Sequence, residues 1–274
     1  MAQDTLVLKD GRMMSCVITK IDSSNVYFDI HDKNQKIVHT MVNQNSIQEI
    51  KHHPVVESVN GINSLNSIGI LFGLSLPTGD FADDDINREE SGLAGNGINL
   101  STVFTHYFNR HLGLSVKGYF NSNMFKTDIL SDLISSMAGL PVTNNTVKYH
   151  SMGLLAGPAV LLPVDKLSVT GHLLWGFGNL TQPEATFTIV SGPDYGWIKM
   201  SEIRKISFMF DIGGGLVYTV NDNWNLFANV DYFGGSFNFE KYTMSFSSGE
   251  SEKYDRGTQK YGVINISAGI ELKF

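Results

Sequence analysis

Lys117, His172, Asp211 and Asp231 lie far apart in the chain. Each nevertheless stands on the polar parity of a run in which the other parity carries large apolar residues. Counted from the tight turns that bound those runs, the four fall within a few residues of one level, with Glu271 lower. An ammonium, an imidazole and carboxylates brought together inside a narrow enclosure offer three kinds of chemistry. They can pair into a buried ion network, because charge left unpaired in a low-dielectric interior is costly. They can line a gated proton or solute path, or His172 can act with Asp211 or Asp231 as an acid/base pair. The expectation is the first, a structural plug that blocks ion flow. A histidine with an aspartate is too common a pair to carry an enzyme claim, so no catalytic residue is assigned. No metal or cofactor is expected either: the single Cys16 reads as a small buried apolar residue, and His52-His53 lacks a third ligand at a recognisable spacing.

The elements that must position these groups are strands. From Ser67 onward eight segments alternate with period two. Ile68, Ile70, Phe72 and Leu74 oppose Ser67, Gly69, Gly73 and Ser75 in the first; Phe208, Phe210, Ile212 and Leu216 oppose Ser207, Asp211, Gly213 and Gly215 in the sixth. Alternation alone does not say which face is inside, since a soluble barrel has the same period with its apolar face inward. Volume decides between them. An eight-stranded barrel has a bore only wide enough to be filled by side chains; the bulky parity would overpack it, whereas Gly, Ser, Asn and a few charges fit. The bulky face therefore points outward, and an apolar band of that extent far exceeds what a monomer exposes to water. Hydrocarbon is its natural solvent, and a closed barrel leaves no strand edge unpaired in it. No apolar run is long enough for a helical span, a test that barrel strands evade.

Connection lengths agree. Asn109-Arg110-His111, Pro163-Val164-Asp165-Lys166 and Asn221-Asp222-Asn223 are tight turns, and they alternate with long connections at 78–95, 126–147, 181–205 and 241–260. Pro158, inside the fourth segment, predicts a local bulge. The closing residues Ser267, Gly269, Leu272 and Phe274 resemble the C-terminal assembly signal of bacterial outer-membrane barrels. The pattern from Ser67 to Phe274 is similar to the small OmpA-like and OmpX-like eight-stranded barrels of the porin-like superfamily. That resemblance implies outer-membrane lipid as surroundings, the barrel-insertion machinery as a partner in biogenesis, and no transferred catalytic residue. With both barrel ends on the periplasmic side, the long loops are expected outside the cell.

Residues 1–53 carry short alternating runs with turn punctuation, from Thr5 to Lys9, Met13 to Ile21, Val26 to Ile30 and Lys36 to Val42. This small periplasmic β-domain resembles an SH3-like or Sm-like barrel, and residues 54–66 have the Asn, Ser and Gly content of a linker to the barrel at 67–274. Ala2-Gln3 reads as the remnant of signal cleavage. The long loops supply candidate partner-binding residues. Ile129 and Leu133 lie on the apolar face of a predicted helix over 127–137 that ends at Gly139. Tyr195, Trp197, Tyr242 and Phe246 lie in stretches with enough alternation to project as strands. Loop one concentrates Asp80, Asp83, Asp84, Asp85, Glu89 and Glu90, which read as a solvated acidic face because their spacing departs from a calcium loop. A net charge of −7 and the lack of any basic patch argue against nucleic acid. The expectation is an all-β, non-enzymatic outer-membrane protein with a structural or interaction role, as an accessory subunit of a larger assembly. A narrow channel or binding barrel for a small hydrophobic solute, as OmpW-like barrels suggest, is the alternative, followed by an enzyme acting on lipid or peptide.

Overall fold

The computed structural model describes residues 4–31, 37–51, 66–88, 90–164, 166–191 and 194–274. The chain forms two compact units, Met1–Asn63 and Ser64–Phe274.

In the first unit β1 (Asp4–Leu8), β2 (Met13–Ile21), β3 (Asn25–His31), β4 (Ile37–Asn43) and β5 (Ile47–Lys51) form one antiparallel sheet in the order β4-β3-β2-β1-β5. Leu6, Cys16, Val26 and Phe28 make its buried core, so Cys16 fills apolar space. Asp22 turns the chain into β3 by accepting from the amides of Ser24 and Asn25, and these bonds hold its carboxyl below the usual carboxylate range. β5 had no strong signal of its own; pairing with β1 gives Ile47–Lys51 its conformation. The turn expected at 32–35 and His52-His53 lie outside the described residues.

The second unit contains β6 (Asn66–Pro77), β7 (Ala94–Tyr107), β8 (Leu112–Phe125), α1 (Thr127–Ala138), β9 (Val142–Asn144), β10 (Lys148–Val164), β11 (Leu167–Gln182), β12 (Ala185–Ser191), β13 (Asp194–Met200), β14 (Ile203–Thr219), β15 (Trp224–Phe246) and β16 (Ser251–Lys273). Eight of these strands close on themselves in the order β6-β7-β8-β10-β11-β14-β15-β16, with β16 pairing back onto β6. The fold is an all-β antiparallel barrel, and no helix among the described residues is long and apolar enough to cross a membrane. Asn66 and Phe274 exchange backbone hydrogen bonds of 3.0 and 3.3 Å at the short-turn end. Two of the short turns are set by asparagine: Asn109 Oδ1 accepts from the amides of His111 and Leu112, and Asn221 Oδ1 from those of Asn223 and Trp224. Asp165, in the third, lies outside the described residues.

Leu74, Leu100, Leu154, Phe177, Phe208 and Ile270 are among the large apolar residues exposed on the outer wall, while Ser75, Asn99, Lys117, Asn121, Asp211 and Asp231 are buried in the bore. The face assignment made from volume is therefore the observed one. Three other expectations are corrected. The bulge at Pro158 is missing: β10 keeps one register along β8, and Pro158 simply lies in a gap in the pairing with β11, its ring facing outward. The long connection at 241–260 is mostly strand, because β15 and β16, of 23 residues each, run on as a hairpin with its turn at 247–250. Finally, the bore is not polar throughout; its loop end is filled by aromatic and aliphatic side chains.

The other six wall strands have 12 to 17 residues, so β15 and β16, with 23 each, project past them. Their extension pairs with β13, β13 with β12, and β12 with β9, which builds a crown of strands at the loop end. The projecting strands pack on one another. α1 ends at Gly139 in the left-handed region (φ 66°), where a side chain would be strained, and lays Ile129, Leu130 and Ile134 against the apolar core.

Candidate functional site

Within the bore, closure of the barrel brings Lys117, Asp211, Asp231 and His172 together. β8 stands opposite β15 in the ring, so the Lys117 stem crosses the bore. Its Nζ donates to Asp211 Oδ2 and Asp231 Oδ2, both at 2.8 Å. His172 Nε2 lies 3.2 Å from Asp211 Oδ2 and 3.2 Å from Asp231 Oδ1. The side chains of Lys117, Asp211 and Asp231 are 0 % exposed, and His172 keeps 11 %. His172, Gly213 and Asp231 form one cross-strand row, and a Cβ on Gly213 would collide with Asp231 Oδ1 and the His172 ring, so glycine is what allows those two side chains to meet. Phe233 closes the group from the loop side, its ring centroid 4.8 Å from Lys117 Nζ in cation–π geometry. Two carboxylates against one ammonium leave a net negative charge, which an imidazolium at His172 would cancel.

Chemically this is a charge lock. His172, Asp211 and Asp231 place their donor atoms within 4.8 Å of one another, close enough for a metal. Lys117 Nζ is itself the cation between the two carboxylates. Glu271 stands apart from the quartet, nearer the short turns, where its Oε2 accepts from Asn225 Nδ2 at 2.7 Å.

Two further layers were not singled out in the sequence. On the β7, β8 and β16 side, Asn99 donates to Asn121 Oδ1 at 2.7 Å, Asn265 to the same oxygen at 3.2 Å, and Asn121 to Tyr261 Oη at 2.9 Å. Above them is an aromatic seal. Phe81, from a single 3-10 turn in loop one, is fully buried between Tyr149 and Tyr261, with ring centroids at 5.1 and 4.8 Å, and Phe237 packs on Tyr261 at 6.0 Å. Tyr149 Oη donates to the Gly92 carbonyl at 2.8 Å and ties loop one down. Phe237 and Phe239 share the parity of Asp231, so continuing the alternation of that run past Gly235 would have found them.

The loop candidates separate. Ile129 packs inward on the apolar core and Leu133 is half-buried on α1, whereas Met137 on the same helix is exposed. Trp197 on β13 and Phe246 on β15 are half-buried in the crown, where Ile198 pairs with Phe246. Tyr195 and Tyr242 stand on β13 and β15; their side chains lie outside the described set. The acidic loop carries its own cations: Arg88 bridges Asp80 (3.1 Å) and Asp83, Lys260 reaches Asp80 (3.1 Å) and Glu90 (3.5 Å), and Lys126 reaches Asp84 (3.3 Å). Glu89 lies outside the described residues. At the other end, Ser267 is buried, Gly269 faces the bore against the β6 backbone, Leu272 is half-buried and Phe274 is exposed on the outer wall.

No protein-family model and no curated protein matches the sequence. Among solved structures the chain is similar to neisserial surface protein A (12 % identity over 77 % of this chain and 98 % of that one, TM-score 0.40). It is also similar to a major outer membrane protein of Thermus thermophilus (10 %, 76 % and 99 %, TM-score 0.43) and to outer membrane protein OprG of Pseudomonas aeruginosa (13 %, 77 % and 97 %, TM-score 0.38). Barrel closure itself rests on the strand pairing of this chain.

Proposed function

We propose that this protein is a closed, non-enzymatic outer-membrane barrel with a structural role. It anchors a folded crown on one side of the membrane and the small N-terminal β-unit on the periplasmic side, as an accessory subunit that holds a larger assembly. The single observation that carries the reading is that the bore is shut twice. Lys117 is locked between Asp211 and Asp231, and beyond that level Phe81, Tyr149, Tyr261 and Phe237 fill the loop end. An outer wall of large apolar side chains supports the membrane setting. The strand order β4-β3-β2-β1-β5 supports an SH3-like or Sm-like character for the N-terminal unit. Lys117, His172, Asp211 and Asp231 are committed to one another, which favours the structural reading over an acid/base site. A packed loop end favours it over a conduit for hydrophobic solutes.

The test is conductance. Purified protein reconstituted in planar bilayers is expected to give no stable channel steps, and proteoliposomes no solute-dependent swelling. A steady, ion-selective open state of the unmutated chain would overturn the proposal.

A further inference from the structure

The outer wall, which the closed-barrel reading leaves as plain lipid contact, is interrupted by a groove. Across β7, β8, β10, β11 and β14 the outward residues form rows. Leu100, Phe120, Met152, Asn179 and Ile206 pair in sequence along one row. One step toward the short turns lie Gly118, Leu154 and Phe177. Gly118 faces outward, and a Cβ built there meets nothing within 4 Å. Between the two rows runs a mostly apolar groove of about 640 Å³, floored by the backbone at Gly153 and Gly178.

Polar groups crowd the loop side of this groove. Asn179 interrupts the apolar row, and its Oδ1 is buried without a hydrogen-bond partner among the described residues. One row nearer the loops come Ser122, His150, Thr181 and Arg204. His150 Nδ1 is likewise buried and unpartnered among the described residues, with its ring stacked on Phe120 at 5.6 Å. Arg204 is exposed; its Nε donates to Thr181 Oγ1 at 3.1 Å, and among the described residues no carboxylate pairs with it. Lys148, exposed, stands one row further.

Order along the wall is therefore apolar channel, unsatisfied acceptor, cation. A buried acceptor without a donor costs free energy that a ligand donor returns, and a guanidinium is suited to a bidentate grip on phosphate. We infer that this groove is a binding site for a single anionic acyl lipid. The chain of the lipid lies over Gly118, a hydroxyl or amide near its headgroup donates to Asn179 Oδ1, and its phosphate sits against Arg204 with Lys148 behind. A protein partner is disfavoured, because the groove opens from the apolar belt, where hydrocarbon chains are the neighbours.

This inference rests on the membrane reading above, and the experiment separates the two. The full chain is inserted into nanodiscs of phosphatidylcholine containing phosphatidylglycerol as the minor component. Insertion is scored by the heat-dependent gel shift, and the lipid kept on release is read by native mass spectrometry. The unmutated chain should keep one phosphatidylglycerol in preference to phosphatidylcholine. Arg204→Gln should erase that preference. Gly118→Leu, whose side chain enters open space and so spares the fold, should lower retention by about tenfold or more, as displacement of two or more methylenes implies. Equal retention by Gly118→Leu, or no headgroup preference in the unmutated chain, overturns the inference while leaving the membrane barrel intact. A chain that never inserts overturns both.

Discussion

At the residue scale the decisive group is Lys117. Among the described residues its ammonium is the only cation within reach of two fully buried carboxylates apart from a protonated His172, so removing it leaves negative charge without compensation. Breaking a buried pair from one side typically costs about 3–5 kcal/mol, while replacing the whole group by neutral residues is often close to neutral. Lys117→Met should therefore lower the temperature at which the folded form disappears from an unheated-sample gel, and adding Asp211→Asn and Asp231→Asn should restore much of it. A single variant as stable as the parent, or a triple variant no better than the single, would contradict the lock. Conductance should rise little in either, because the aromatic seal lies beyond the lysine. The quartet was legible from the sequence because a closed antiparallel barrel converts parity and distance from the turn directly into position. The bond between Glu271 and Asn225 was not, since alternation says which face a side chain takes and nothing about its neighbour across the strand.

At the element scale loop one acts as the lid of the bore, and charge as well as packing holds it. Phe81 enters the seal; Asp80, at the start of the same turn, pairs with Lys260 and Arg88. The Lys260 ammonium, with Arg88 beside it, holds the Asp80 carboxyl below its usual value. A carboxyl depressed in the folded state stabilises the fold above its ordinary pKa of about 3.9 and loses that contribution as pH falls through the lower folded value. Hydrogen exchange of the amides between Phe81 and Leu93, corrected for intrinsic rates, should therefore stay slow down to about pH 4 and quicken below it. Asp80→Asn should be fast and pH-independent over that range. Unchanged protection at the lowest pH would show that the packing of Phe81 and the Tyr149–Gly92 bond hold the lid without Asp80. The helix over 127–138 and its glycine stop were readable from spacing and a terminator, whereas the crown was only half readable. Runs such as Ala185 to Val190 showed strand alternation, but which strands they pair with is set by non-local hydrogen bonds that local sequence does not encode. The apolar loop end of the bore was missed for a related reason: past Gly235 the pattern inverts, with Phe237 and Phe239 inward and Ser236 and Asn238 outward, so a rule that sends every bulky parity outward fails there.

For the whole molecule the consequence of two separate cores is two separate transitions. The N-terminal unit buries Leu6, Cys16, Val26 and Phe28 with its own set of strand pairings, and among the described residues no β-ladder joins it to the barrel. A core this small in a unit of Met1–Asn63 gives the marginal stability expected of short domains, whereas the barrel pairs every wall strand on both sides and unfolds only by opening the ring. Urea titration of the full chain in detergent should show the small unit melting first, by loss of far-UV signal, with the gel-shifted barrel unchanged. Phe28→Ala should lower only that first midpoint, by about 3–5 kcal/mol of destabilisation if it folds at all, and Lys117→Met only the second. A single coincident transition in both variants would mean that the units are energetically one body, and the picture of an independently folded N-terminal module would have to be given up.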